Sequence, residues 1–301
     1  MGSQERIPPL VASHVRSELP IVVHPPHKLP ESSAIFSSPA VTSLSVILDR
    51  RHLSEDETAL PNVQSAIQSS KSLKKLHLYI DVFGCVQYLH STEFSENGET
   101  FPPLEELVLE WFWISQRCGE YWTKAMDWSH LRVLDFREGS LSTAFLLLLL
   151  PIADKLPALE SIGTTLPCLR EEDLQKQKGD PNSSFSLIRR LLSTTLPGSL
   201  RDVRIWGYSR QFLRDVIDNH GTSLKSLSLH DEESSSEDDQ RTPLSVGDLK
   251  EIGTKTKGLE VLALDVNISE EHVWVGIRYF SGISHTVLTL YSKSRRTSLA
   301  F

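Results

Sequence analysis

A short apolar pattern recurs along this 301-residue chain. It consists of an apolar residue, two others, a second apolar residue, one other, and a third apolar residue. It is read at Val41-Leu44-Val46, Leu73-Leu76-Leu78, Leu104-Leu107-Leu109, Leu131-Leu134-Phe136, Leu200-Val203-Ile205, Leu224-Leu227-Leu229 and Leu259-Leu262-Leu264. Leu159-Ile162 is a degenerate copy running into Gly163-Thr164, and a ninth surrounds Val287-Leu288-Thr289-Leu290, with His285 at its first position. In most copies the last two apolar residues alternate with polar ones, the signature of a strand with one buried face. The intervening stretch, roughly 20 residues, is long enough to carry the chain back to the start of a parallel neighbour. One such unit cannot bury its own apolar face, whereas stacked units build a continuous core. The expected fold is therefore an α/β solenoid with a parallel sheet on one side and irregular helices and loops on the other.

The spacers carry this unevenly. Ser245 to Ile252 reads as a helix, with Ser245 as N-cap, Asp248 at the capping-box position and Gly258 as a later stop. Ser142 to Ile152 reads as a second, very apolar helix ended at or soon after Pro151, and Gln211 to Asn219 as a third, closed by Gly221. Glu93 to Thr100 is polar and reads as a loop. Trp111, Trp113, Trp122 and Trp128, joined by Phe112 and Tyr121, fall between the third and fourth strands. They form either an exposed aromatic recognition patch or a spacer that packs its rings under the sheet edge in place of a helix. The second is the expectation, because rings this large are more often core than surface.

The run Leu244-Ser245-Val246-Gly247-Asp248-Leu249-Lys250-Glu251-Ile252 leading into Gly258-Leu259-Glu260-Val261-Leu262-Ala263-Leu264-Asp265 resembles a leucine-rich repeat, as does His220-Gly221-Thr222-Ser223-Leu224-Lys225-Ser226-Leu227-Ser228-Leu229. The long, irregular units are most similar to the repeat region of fungal F-box/leucine-rich-repeat proteins. The resemblance covers about residues 41–290. It implies a horseshoe whose concave sheet faces a partner, and a role as the substrate-binding part of an F-box-type ubiquitin-ligase receptor. The F-box itself is not found, so docking to the ligase adaptor is expected only if an F-box lies outside this chain. The alternative is a stand-alone repeat scaffold or regulatory adaptor with no ubiquitin link.

Residues 1–40 hold seven prolines and read as an extended arm. Residues 41–290 read as the solenoid of about eight or nine irregular repeats, and 291–301 as a C-terminal tail. Lys and Arg number 31 against 39 Asp and Glu, a net charge of −8. Six of those acids lie in residues 231–239; without them 33 acids face 31 bases. That segment, Asp231-Glu232-Glu233-Ser234-Ser235-Ser236-Glu237-Asp238-Asp239, should be a solvated loop. Ser234, Ser235 and Ser236 each precede an acid by three residues, the pattern of an acidophilic kinase site, and Arg295-Arg296-Thr297-Ser298 fits a basophilic one. Three isolated cysteines argue against a disulfide scaffold. The longest apolar run, Ala144 to Leu150, falls short of the ~20 residues a bilayer span needs. With no signal-peptide pattern, an intracellular protein is expected, in the cytoplasm or the nucleus, with no membrane contact.

Catalytic motifs are missing: there is no Gly-x-Ser-x-Gly, no phosphate-binding Gly-Lys-Ser/Thr loop, no His-Glu-x-x-His and no Cys-x-x-Cys. The expectation is a non-enzymatic, monomeric protein-recognition module without cofactor or metal. The polar positions between the repeat's apolar residues give the candidate binding face: Lys75, His77, Tyr79, Glu106, Glu110, Asp135, Arg137, Asp202, Arg204, Trp206, His230 and Asp265. Mixed charge with Tyr79 and Trp206 as anchors suits a protein partner and argues against nucleic acid.

Overall fold

The computed structural model describes residues 21–23, 36–49, 59–81, 100–112, 114–137, 143–166, 171–207, 209–230, 244–265, 287–291 and 296–300. One sheet runs through them: β1 (Ile21–Val23), β2 (Ser43–Asp49), β3 (Lys75–Asp81), β4 (Glu106–Glu110), β5 (Val133–Phe136), β6 (Ser161–Thr165), β7 (Asp202–Trp206), β8 (Ser226–His230), β9 (Val261–Asp265), β10 (Val287–Tyr291) and β11 (Arg296–Ala300). Their order across the sheet is their order in the chain. Pairing is parallel from β1 through β10, and β11 folds back antiparallel on β10. The chain is thus α/β with a parallel sheet, as the repeat requires.

The sheet reaches past both ends of the 41–290 block. Ile21–Val23, inside the proline-rich arm, adds a parallel strand in register with Leu44–Val46. Arg296–Ala300, in the expected tail, adds the antiparallel one. His285 does not prevent the ninth copy from pairing with β9.

Register is set by the apolar pattern. Leu44, Leu76, Leu107, Leu134, Ile162, Val203, Leu227 and Leu262 stand side by side across β2–β9, and none is more than 1% exposed. A one-residue slip would turn this whole row to the opposite face. At ~1.5–3 kcal/mol for each fully buried aliphatic side chain, the row alone outweighs any surface interaction. The entry leucines, Leu73, Leu104, Leu131, Leu159, Leu200, Leu224 and Leu259, form a second buried row where the chain turns into each strand.

Between these rows lies a device that the apolar pattern does not reveal. The carbonyls of Thr42, Lys74, Glu105, Arg132, Glu160, Arg201 and Lys225 each accept two backbone N–H bonds from the following unit, at 2.7–3.0 Å. Charged side chains at these positions and at Glu260 pair across neighbouring units as Lys74–Glu105 at 2.6 Å, Arg132–Glu160 at 2.8 Å and Lys225–Glu260 at 2.8 Å. These pairs are solvent-exposed and add little stability each, while favouring one stacking order over shifted ones.

The helices are α1 (Ala59–Ser69), α2 (Gln116–Ala125), α3 (Thr143–Leu149), α4 (Glu171–Gly179), α5 (Ser184–Thr194), α6 (Ser209–His220) and α7 (Val246–Lys255). The expected capping box of α7 is present: Ser245 Oγ accepts from the Asp248 N–H at 3.2 Å, and Asp248 accepts from the Ser245 N–H at 2.7 Å. The apolar helix expected at 142–152 divides, with α3 giving way to a 3-10 segment at Leu150–Lys155 that starts around Pro151. Gln211–Asn219 lies within α6.

The Trp-rich spacer contains a helix after all, contrary to expectation. Ser115 caps α2, and Cys118, Tyr121, Trp122 and Ala125 form its buried stripe. Phe112, Trp122 and Trp128 are buried with them, and Trp111 packs partly buried against the same core; Trp113 lies outside the described residues. The rings are therefore core. Phe101 packs edge-on to both Tyr121 and Trp122, with ring centres 5.6 and 5.2 Å apart. The longest spacer, between β6 and β7, holds both α4 and α5. Among the described residues no helix is long and apolar enough to cross a membrane.

Candidate functional site

Strand alternation leaves one face of the sheet free of the core, and the register assembles the expected recognition residues there. Lys75, Glu106, Val133, Ser161, Asp202 and Ser226 form one row across β3–β8. His77, Val108, Asp135, Gly163, Arg204 and Ser228 form the next. In the third, Tyr79 stands beside Glu110, and Thr165 beside Trp206 and His230. Arg137 continues this row just past β5, its N–H donating to the Leu109 carbonyl at 2.8 Å. Asp265 ends β9, in register with Tyr291.

Charged side chains link along these rows into one chain crossing five strands. His77 Nε2 is 3.4 Å from Glu110 Oε2, and Arg137 Nη1 donates to the same oxygen at 3.4 Å. Arg137 Nε donates to Asp135 Oδ2 at 3.0 Å. Arg204 Nη1 approaches that Asp135 oxygen from β7 at 3.4 Å, and Arg204 Nε lies 3.2 Å from Asp202 Oδ2. Ser161 Oγ closes the series by donating to Asp202 Oδ2 at 2.8 Å. Lys75 and Glu106 pair more loosely beside it, at 3.8 Å.

Asp135 departs from the expectation of an exposed recognition residue. Its side chain is only 5% exposed. It is buried because Gly163, its neighbour on β6, has no side chain: a Cβ there would run into the Asp135 carboxylate. The carboxylate thus lies across the glycine with an arginine on either side. Burial is the largest single influence on Arg137 and opposes its charge, but the hydrogen bonds and negative charges of Asp135 and Glu110 together outweigh it and hold the guanidinium above its usual pKa. Burial and the Arg137 charge push His77 below the ordinary histidine value, against the pull of Glu110.

The outward residues of β6 are Ser161, Gly163 and Thr165, all small, so β6 is the floor of a furrow. Its walls are Asp135 and Arg137 on one side and Asp202, Arg204 and Trp206 on the other. A cavity of about 290 Å³ opens here, lined by Glu110, Asp135, Arg137, Thr164, Thr165, Arg204 and Trp206. Trp206 is 45% exposed and meets His230 edge-on, with ring centres 5.5 Å apart.

Of the predicted residues, Glu110, Asp135, Arg137, Arg204 and Trp206 therefore come together at one place, with His77, Asp202 and His230 adjoining. Lys75, Glu106 and Tyr79 lie elsewhere on the face. Gly163, Thr164 and Thr165 belong to the site and were not singled out; their signal is the small-residue run that makes the fifth copy degenerate. Ser298 sits in β11, paired with Thr289. Ser234, Ser235, Ser236 and the acidic segment 231–239 lie outside the described residues. Comparison with protein-family models finds no match, and comparison with curated protein sequences finds none either.

Proposed function

We propose that the chain is a leucine-rich-repeat solenoid whose open, concave sheet face recognises a protein partner, without catalysis, cofactor or metal. The observation that carries this reading is the exposed Trp206 beside Arg137 and Arg204 at a furrow in an otherwise even sheet face. Aromatic and arginine side chains at a concavity are the usual anchors of protein interfaces. Charges of both signs interleave along the face, which favours a protein surface over a uniformly anionic nucleic-acid backbone. A monomer in the cytoplasm or nucleus fits this reading. The repeat region of an F-box-type ubiquitin-ligase receptor and a stand-alone scaffold would both use the face in this way.

The test is partner capture from native cells by three forms: the wild type, Trp206→Ala/Arg204→Gln, and Arg190→Ala on the exposed side of α5. Loss of the same protein by the sheet-face variant alone supports the reading. Loss by the α5 variant alone refutes it. Recovery of the ligase adaptor with the full-length protein assigns the receptor role, and consistent recovery of the partner without it assigns the scaffold.

A further inference from the structure

The furrow's charges run in one alternating series: Glu110, Arg137, Asp135, Arg204, Asp202. Each arginine lies between two acids, and the series ends on an acid at both sides. Three carboxylates against two guanidiniums leave one negative charge unbalanced. His77, beside Glu110, does not supply the balance near neutral pH, because burial and the Arg137 charge hold it below the ordinary histidine value. Lys75, in the adjoining row, is matched by Glu106.

The acids are also only half used. Each makes its contacts through one oxygen: Glu110 Oε2, Asp135 Oδ2 and Asp202 Oδ2. Glu110 Oε1, Asp135 Oδ1 and Asp202 Oδ1 accept no hydrogen bond from the described residues. Asp135 matters most, because its side chain is only 5% exposed and Oδ1 lies over Gly163, at the furrow floor. A buried carboxylate oxygen without a donor is costly, so the missing complement is a donor, and a positively charged one also balances the series. Trp206 is 45% exposed and lines the same cavity, and an indole is the best aromatic platform for a cation. At about 290 Å³ the cavity takes one long side chain rather than a helix. The arginines keep the three acids from converging on a metal ion, and no group able to hold one exists among the described residues. Asp135 ties Arg137 to Arg204 before anything binds, which reduces the ordering cost of binding.

We propose that the furrow receives a lysine or arginine side chain from an extended basic segment of the partner, its stem along Trp206 and its charged end at the unpartnered oxygens of Glu110 and Asp135. This rests on the reading of the face as a protein-recognition surface and names the chemistry it recognises.

The experiment follows the Trp206 indole N–H resonance of the ¹⁵N-labelled full chain, assigned with Trp206→Phe. The probes are acetyl-Ser-Lys-Ser-amide and its Arg, norleucine and Glu counterparts. The Lys and Arg peptides should shift the resonance saturably and bind about tenfold or more tightly than the other two, with affinity falling as salt rises. Glu110→Gln, which keeps the shape and loses the charge, should weaken the Lys peptide about fivefold or more, and Glu110→Asp, which keeps the charge, should weaken it less. Far-UV circular dichroism and the resonance positions of the free variants check that both remain folded, and the comparison of peptides on the wild type needs no variant. Norleucine binding as tightly as lysine, or tightest binding by the Glu peptide, overturns the cationic assignment while leaving the face a peptide-binding surface. Undiminished binding of the Lys peptide by Glu110→Gln, which leaves the acidic run 231–239 intact, overturns the furrow as the source of the attraction. If no probe moves Trp206 the proposal is refuted, and partner capture then decides separately whether the face is used.

Discussion

Replacing Gly163 with alanine probes the furrow where it is tightest. The added methyl would occupy the space of the Asp135 carboxylate, which must then leave. Its departure breaks the 3.0 Å hydrogen bond from Arg137 and the 3.4 Å contact with Arg204. A hydrogen bond to a charged group contributes about 1.5–3 kcal/mol, and the partial exposure of both arginines lets water recover some of it. Gly→Ala without strain would otherwise stabilise by about 0.4–1 kcal/mol through the unfolded chain. The net expectation is a loss of about 1–2 kcal/mol. Asp135→Ala removes the obstacle, since the remaining Cβ stands 3.4 Å from the new methyl. In that background Gly163→Ala should become neutral or stabilising. The two substitutions are therefore coupled by about 1–3 kcal/mol. Urea unfolding of the four proteins, followed by far-UV circular dichroism, measures this. Hydrogen exchange at Leu134–Phe136 shows whether the loss is local, as stacking of nearest-neighbour units requires. Effects that add within about 0.5 kcal/mol would refute the placement of the carboxylate over the glycine.

Further outcomes follow from the same structure. His220 is buried, with Nε2 2.9 Å from the Leu192 carbonyl and Nδ1 without a partner among the described residues. Burial lowers its pKa despite that bond, so the folded chain takes up the proton less readily than the unfolded one. Stability should be full above about pH 6.5 and decline below it; His77 shifts in the same direction. The urea midpoint should therefore fall between about pH 7.5 and 5.5, and fall less in His220→Gln; an equal fall would contradict the assignment. Ser245→Ala removes the α7 cap and should cost about 1 kcal/mol in thermal or urea unfolding, with the loss concentrated in amide exchange of α7. Glu160→Lys faces Arg132 with a like charge, and the resulting destabilisation should shrink at high salt; salt independence would mean that the charge ladder contributes nothing.

The strands β2–β5 and β7–β9 were legible because each carries a complete apolar triplet, and the observed register joins these triplets position to position. The helices were less so. The stripe of α2 runs through Tyr121 and Trp122, whose bulk reads equally well as loop packing. The stripe of α5, Phe185, Ile188, Leu191 and Leu192 behind the Ser183 cap, lies in the longest spacer, where no second strand signal frames it. Pairing of Ile21–Val23 and of Arg296–Ala300 depends on edges that the stacked sheet offers, and no local pattern announces it. The rows of the open sheet face followed directly from strand alternation. The furrow did not, because it is made by missing volume at Ser161, Gly163 and Thr165. The burial of Asp135 depends on a residue that lies far from it in sequence.

The concave-face reading is tested most directly by filling the furrow. Thr165→Trp occupies the cavity while leaving Arg137, Arg204 and Trp206 in place, and Arg190→Trp adds the same bulk to the exposed side of α5. With the captured partner in a titration, the account predicts that Thr165→Trp loses at least tenfold in affinity at unchanged urea stability, while Arg190→Trp binds as the wild type does. Full affinity in Thr165→Trp, with the loss appearing in Arg190→Trp, would contradict it.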